Sequence, residues 1–508
     1  MRNRYDLVVV GGGTAGLVSA AGAASLGART ALVERDRLGG DCLYRGCVPT
    51  KALIKSARVA HLMRCSEEYG IRCPDHEVDF PAVMNRMDRV IQTAGEHDDP
   101  ARFRKMGVDV FLGDEASFLS PEEISVDGRR LGARSVILAT GSHPVAPPIE
   151  GLEEAGYLTN VEALGLRRLP RSMIVIGSGP IGCEFAQIYA RFGSNVTLLD
   201  TVALPLPEED PEIGELLTEV LASDGVTFHG GYKVEEARIE GGDKGAVATG
   251  TNGADATAPL KVIAASNERG EKIEVRAEEI LIAAGRAPTA GSLALENAGV
   301  ELGEAGLRVD EHLRTTARNV YAAGDVTGKY LFTHVAEYQG RTALRNALFP
   351  VKTKADHRVV PWTTFTDPEV ARVGLTEQQA REEQGAVRVY RQHFTGVDRA
   401  LADGETTGFV KIVTGRRGKI LGGHIIGPDA GNLIHEIALA MQRNIPIQTL
   451  STMIHVYPTL SQANQRAADN YYRERLFTDR TRRVFSVFFG ARRLLGWRRA
   501  VYDPRRER

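Results

Sequence analysis

The stretch GGDCLYRGCVPTKAL, residues 39–53, places Cys42 and Cys47 with four residues between them and Lys51 one turn after the second thiol. Two thiols this close serve as a structural cross-link, a metal hook or a redox centre. A zinc hook usually leaves two residues between its thiolates, and no second pair lies nearby. A disulfide here closes a very short loop, so it adds little stability and is easily reduced. Redox use is the economical reading. After Cys47, VPTKALIKSARVAHLM reads as a helix with Pro49 in its first turn. A helix N-terminus lowers a thiol pKa, and Lys51 adds a positive charge on the same face.

Redox thiols need an electron source, and the flanking sequence offers sites for one. Residues 5–34 read as strand, glycine turn, helix and strand: DLVVV, then Gly11, Gly13 and Gly16 at G-x-G-x-x-G spacing, then TALVE ending in Glu34. The glycines bring a pyrophosphate to the helix N-terminus, and Glu34 is placed to accept hydrogen bonds from a ribose diol. The pattern recurs in SMIVIGSGPIGCEFAQIYARFGSNVTLLD, with Gly177, Gly179, Gly182 and a terminal Asp200. Two units imply two dinucleotides. Asp200 suits a free 2′-hydroxyl and repels a 2′-phosphate, and TVALP after it holds no arginine, so NADH is favoured over NADPH. Two further buried strands, SVILATGSHP and EEILIAAGRAPT, break at Thr140-Gly141 and at Gly285, while RNVYAAGDVTG ends in Asp325; all three fit the first site. The expected organisation is a discontinuous first domain, 1–145 and 276–345, with a second nucleotide domain, 146–275, inserted in it. Residues 240–257 read as a surface loop or hairpin of the insert.

A chain of 508 residues that is 43% hydrophobic forms several large cores, and a formal charge of −2 gives no pull toward nucleic acid. Five cysteines make no disulfide scaffold, which favours a cytoplasmic setting. The apolar N-terminal run contains three adjacent glycines and continues in register into RTALVERD, unlike a signal peptide. Cys65, Cys73 and Cys183 read as ordinary unpaired thiols.

The motifs GGGTAG, GGDCLYRGCVPTK, GSGPIGCE, AAGRAPT, YAAGD, VVPWTTFTDPEVARVGLTE and HVYPTLSQA together resemble the class I pyridine nucleotide-disulfide oxidoreductases. That flavoprotein family includes dihydrolipoamide dehydrogenase, glutathione reductase and mercuric reductase, and the resemblance runs from residue 5 to about 470. It implies an α/β fold with two Rossmann-like domains, for FAD and NAD(P), and an α+β dimerisation domain over 346–475. It puts the FAD pyrophosphate at Gly11–Gly16, Glu34 on the adenosine ribose and Asp325 on the flavin side. It puts the nicotinamide nucleotide on the second unit, with Glu184 pairing with Lys51 beside the flavin. Hydride then passes from NAD(P)H to flavin to the Cys42–Cys47 disulfide, with Cys47 facing the flavin and Cys42 meeting the acceptor. It implies a homodimer.

The acceptor is read from HVYPTLSQ. Disulfide-reducing members carry a histidine before PT and a glutamate after the serine, supplied by the partner subunit, where this chain has Tyr457 and Gln462. A tyrosine with a pKa of about 10 is roughly one part in a thousand ionised at neutral pH and cannot replace that base. Tyr457 resembles the mercuric reductases, in which soft thiolates bind a metal ion without a general base. Those enzymes also carry a cysteine pair near the C-terminus, and this chain has no cysteine after Cys183. Mercury, a quinone or dye, oxygen and an unknown disulfide remain as acceptors. A dihydrolipoamide-type enzyme using His455 as a stand-in base is the alternative, and a flavin-bound redox sensor is the rival of another class.

Residues 476–508 depart from the family. From Arg480 onward there are ten arginines against two acids, with Val484, Phe485, Phe488, Phe489, Leu494, Leu495 and Trp497 interleaved. The segment is too short and too charged to span a bilayer, and it reads as a helix lying on an anionic membrane surface or docked on the dimer.

Overall fold

The computed structural model describes residues 4–73, 77–241 and 259–494. The chain divides into two compact units, one comprising residues 1–357 with 364–367, the other 358–363 with 368–508. The second unit therefore begins at Arg358 rather than at 346.

The first unit opens with β1 (Arg4–Val10), α1 (Thr14–Ser25) and β2 (Thr30–Glu34). β1 pairs in parallel with β2 on one side and with strand Arg129–Leu138 on the other. Strand Val108–Leu112 extends the sheet beyond β2, and Val320–Ala322 joins in parallel beyond Arg129–Leu138. An antiparallel flank, Ala116–Ser120 and Glu123–Val126, completes it. Alternation in β1 sends Val8 and Val10 into one buried cluster and Leu7 and Val9 into the other. Apolar residues in succession are what a strand covered on both faces requires. α1 is lined with small residues because another helix, Thr333–Leu348, lies against it. Ser19 Oγ donates to Gly340 O at 3.1 Å, and a Cβ on Gly340 would stand 2.7 Å from Ala15 O.

The second nucleotide fold is a parallel sheet in the order Val226–Gly230, Asn195–Asp200, Ser172–Ile176, Glu279–Ile282, with helix Pro180–Phe192 after the glycine turn. Strand Glu279–Ile282, expected in the first domain, pairs with Ser172–Ile176 and belongs here, so the boundary drawn at 275 moves past Ile282. The error came from its apolar composition, which suits any buried strand. An antiparallel meander, Tyr232–Glu240, Leu260–Asn267 and Lys272–Ala277, accompanies this sheet. The expected loop falls between its first two strands, and residues 242–258 lie outside the described residues.

The second unit carries a five-stranded sheet ordered Pro361–Thr364, Glu369–Gly374, Ile420–Gly427, Phe409–Thr414, Arg388–His393. Helices Ala430–Gln442 and Gln462–Leu476 share its core through Ile434, Ile437, Ala463 and Ala467. A final helix, Asp479–Leu494, follows. Among the described residues no helix is long and apolar enough to cross a membrane.

Candidate functional site

The two glycine turns are built alike. Gly11 has φ +107°, and a Cβ there would sit 2.3 Å from Ala139 O; a Cβ on Gly16 would sit 1.8 Å from Gly11 O. Backbone crowding of this kind admits only glycine. Gly177 and Gly182 repeat both features in the second unit. α1 begins after Gly13, and helix Pro180–Phe192 after Gly179. Neither N-terminus is capped by a side chain or holds an acid in its first turn. Free N–H groups and a positive helix end are therefore available to a pyrophosphate. Glu34 accepts from Gly12 N at 2.6 Å and Asp36 N at 2.8 Å; Asp200 accepts from Ser178 N at 2.5 Å and Ser178 Oγ at 2.8 Å. The residues present at each turn fit a dinucleotide.

Thr140, Gly141 and Gly285 sit where the chain crosses between the two sheets. Thr140 Oγ1 donates to Thr289 O at 2.5 Å, Gly141 O accepts from Thr289 N at 2.9 Å, and Gly285 O accepts from Val145 N at 3.2 Å. Ser142 Oγ donates to Asp325 at 2.7 Å, and burial pushes that carboxyl up against the pull of Ser142 and Arg286. Arg286 donates to Ser142 Oγ at 2.8 Å and to Asp41 at 2.6 Å, tying the crossover to the residue before Cys42. Arg286 and Asp41 were missed as site residues, although AAGRAPT carried the arginine in plain view.

The cysteines stand at a break between two helices. Cys42 lies in α2 (Gly40–Tyr44) and Cys47 opens α3 (Cys47–Arg64), with Gly46 between them at φ −133°, ψ −113°. Both are free thiols, and each acts on the other's ionisation. Cys47 Sγ also meets Thr333 Oγ1 at 3.4 Å, at the N-terminus of helix Thr333–Leu348, a contact without a signal in the sequence. The bond from Cys42 pulls the Cys47 thiol down to about 6; Thr333 and Lys51 assist, while burial and Glu184 oppose. The Cys42 thiol is pushed up, first by its bond to Cys47 and then by burial. The two thiols are therefore pulled in opposite directions, Cys47 toward the thiolate and Cys42 toward the thiol.

Lys51 Nζ meets the two oxygens of Glu184 at 2.9 and 3.0 Å. It also lies 4.4 Å from the centre of the Phe365 ring, whose own backbone N donates to Glu184 at 2.9 Å. The expected pairing is thus present, and Phe365 is a further partner that sequence reading did not find.

In the second unit the expectations for His455 and Tyr457 separate. Tyr457 is 65% exposed. The His455 side chain is 3% exposed: Nε2 lies 2.8 Å from Glu436 Oε1 and Nδ1 lies 3.1 Å from Met453 O. Glu436 is held in turn by Asn464 Nδ2 at 2.8 Å. Both imidazole nitrogens thus face oxygen atoms of the same subunit, and the side chain is almost wholly buried, in contrast to the exposed Tyr457. On helix Asp479–Leu494, Val484, Phe485, Val487, Phe488 and Phe489 are all exposed; Leu495, Trp497 and the arginines from Arg498 onward lie outside the described residues.

A family model for pyridine nucleotide-disulphide oxidoreductases matches residues 5–340, and the model of that family's dimerisation domain matches residues 360–468. The chain belongs to this family. It is 36% identical over 466 residues to a mercuric reductase of Bacillus cereus, covering 90% of this chain and 70% of that one. It is 33% identical over 469 residues to a dihydrolipoyl dehydrogenase of Chlamydia muridarum, covering 91% and 96%. Among solved structures it resembles the Cu(II) complex of the HOCl-induced flavoprotein disulfide reductase RclA from Escherichia coli, with TM-score 0.79, 28% identity and coverage of 92% and 99%. The protein is accordingly an FAD-dependent pyridine nucleotide-disulfide oxidoreductase with a dimerisation domain that makes it a homodimer.

Proposed function

We propose that Cys42 and Cys47 are the redox pair of this enzyme, reduced at the expense of NADH and reoxidised by an acceptor that needs no protonated leaving thiol, a soft metal ion such as mercuric ion first among them. The observation that carries this reading is the placement of the pair, with Cys47 opening α3, its Sγ 3.4 Å from Thr333 Oγ1, and Lys51 one turn on fixed by both oxygens of Glu184, an arrangement that favours the Cys47 thiolate. Bound FAD supplies the two-electron relay between pyridine nucleotide and thiols. Glu34 and the first glycine turn hold its adenosine end, and Asp325, fixed by Ser142 and Arg286, serves the other end. Lys51, set by Glu184, keeps positive charge beside the thiolate. Cys42, the protonated partner, is the thiol that exchanges with the acceptor. Asp200 supports NADH over NADPH. Tyr457, exposed in its own subunit, supports a metal-ion acceptor in place of a disulfide, for which a base is required.

The test is acceptor turnover by the flavin-loaded dimer with mercuric ion, lipoamide, glutathione disulfide and a quinone in parallel, in wild type and Cys42→Ser. Turnover of mercuric ion by the wild type, lost at least about 100-fold in Cys42→Ser while NADH still bleaches the flavin, is the expected result. Undiminished turnover in the variant refutes the exchange role.

Helix Asp479–Leu494 supports a second element of this reading, peripheral contact with an anionic membrane. Five arginines against one acid flank an exposed apolar face of Val484, Phe485, Val487, Phe488 and Phe489, the composition of a helix that lies in a membrane interface. Deletion of residues 479–508 should abolish sedimentation with phosphatidylserine vesicles; equal sedimentation of both forms refutes it.

A further inference from the structure

α3 carries a thiol at each end. Cys65 follows its last residue, and its Sγ lies 3.7 Å from His61 Nε2, one turn back. His61 Nδ1 lies 3.2 Å from Asp224 Oδ1. Asp224 is 2% exposed and receives Arg191 Nε at 2.9 and 3.0 Å and Gln187 Nε2 at 2.8 Å. Arg191, 4% exposed, also reaches Asp367 at 2.6 Å. Burial pulls the Asp224 carboxyl up, but the bonds from His61, Arg191 and Gln187 outweigh it and hold the group ionised.

A carboxylate only accepts hydrogen bonds, so the proton of a neutral His61 belongs on Nδ1. Its Nε2 lone pair then faces the Cys65 S–H. A thiol, an imidazole and a buried carboxylate in this order form a nucleophile, its base and the group that orients the base. Cys65 is partly exposed and the His61 side chain is 33% exposed, so a small reagent reaches the sulfur while the carboxylate stays anchored. The whole of α3, 18 residues, stands between this thiol and Cys47. At a rise of about 1.5 Å per residue the two ends lie about 27 Å apart, which rules out direct exchange between the thiols.

We propose that Cys65 is a second nucleophilic thiol of this enzyme, activated by His61 and oriented through Asp224, and a modification site for small electrophiles of the hydroperoxide class. In the reaction, His61 Nε2 takes the thiol proton and the sulfur attacks one peroxide oxygen. The O–O bond breaks, an S–O bond forms, and the departing oxygen leaves as water or alcohol with the proton returned from His61. Sulfur loses two electrons and the peroxide gains them, leaving a sulfenic acid.

The flavin-loaded enzyme is pulsed with iodoacetamide and the alkylation of each cysteine is followed by peptide mass spectrometry, with Cys73 as the internal reference thiol. Cys65 should react at least about 10-fold faster than Cys73 in the wild type. His61→Ala should remove that advantage, and added imidazole should restore part of it, which a merely structural role of His61 would not allow. After hydrogen peroxide, dimedone should trap a sulfenic acid on Cys65 in the wild type and not in His61→Ala. Equal rates for Cys65 and Cys73 in the wild type overturn the proposal without reference to any variant. An unchanged Cys65 rate in His61→Ala overturns the base, and absence of the dimedone adduct overturns the hydroperoxide class.

Discussion

The thiol of Cys47 is pulled to about 6, and the first cause is the hydrogen bond from Cys42. At pH 7 a thiol of that pKa is roughly nine-tenths ionised, against about one part in a hundred at the ordinary value near 9. Cys42→Ala deletes the donor and leaves Thr333 and Lys51 to oppose burial and Glu184. A hydrogen bond to a charged group contributes about 1.5–3 kcal/mol, and about 1.36 kcal/mol corresponds to one pKa unit, so the midpoint should rise by about 1–2 units. The thiolate fraction at pH 7 then drops to between about one half and one tenth. The assay is the alkylation rate of Cys47 in the reduced protein, mapped by peptide between about pH 5 and 9. Thiolate is the reactive form, so the wild-type rate should be flat at neutral and alkaline pH and fall as pH drops through about 6. A wild-type midpoint near 9, or a Cys42→Ala midpoint still near 6, refutes the reasoning.

Glu184→Ala strips Lys51 and the Phe365 N–H of their shared acceptor. It should cost about 2 kcal/mol of stability, read from the urea midpoint. Gly182→Ala drives a Cβ to within 1.8 Å of Gly177 O. The KM for NADH should then rise at least about 10-fold with flavin content retained; an unchanged KM would refute the assignment of that turn. Asp200→Asn keeps an acceptor for Ser178 while removing the charge. The NADH-to-NADPH ratio of kcat/KM should then fall about 10-fold, a change of about 1.4 kcal/mol; a wild-type enzyme preferring NADPH contradicts the reading of Asp200.

What the sequence disclosed was decided by local backbone chemistry. A Cβ on Gly16 would collide with Gly11 O of its own turn, and the positive φ of Gly11 is itself a local demand for glycine, so the spacing was enough to place both. The Ala139 O that crowds Gly11 nevertheless comes from a distant strand end. Lys51 and Glu184 are 133 residues apart, and only the family resemblance joined them before the structure did. Thr333, Arg286 and Phe365 reach the site through long-range packing with no periodic signature. His455 drew notice because a histidine near PT is chemically suggestive; its contact with Glu436, nineteen residues away on helix Ala430–Gln442, had no signal in the sequence. Cys65 looked bland because Asp224, the carboxylate that orients His61 one turn back, comes from a distant segment of the chain.

Glu34 and Asp200 each grip the amide of their own glycine loop. The loop's curvature is therefore a property of the fold, settled before any nucleotide arrives. Ordering a backbone residue costs about 1–2 kcal/mol, so a loop already frozen in the shape of its ligand forfeits little freedom on binding. The same stiffness makes the two sites poor at accommodation: a bulkier or more highly charged dinucleotide meets a surface that does not yield, and selectivity comes from refusal as much as from attraction.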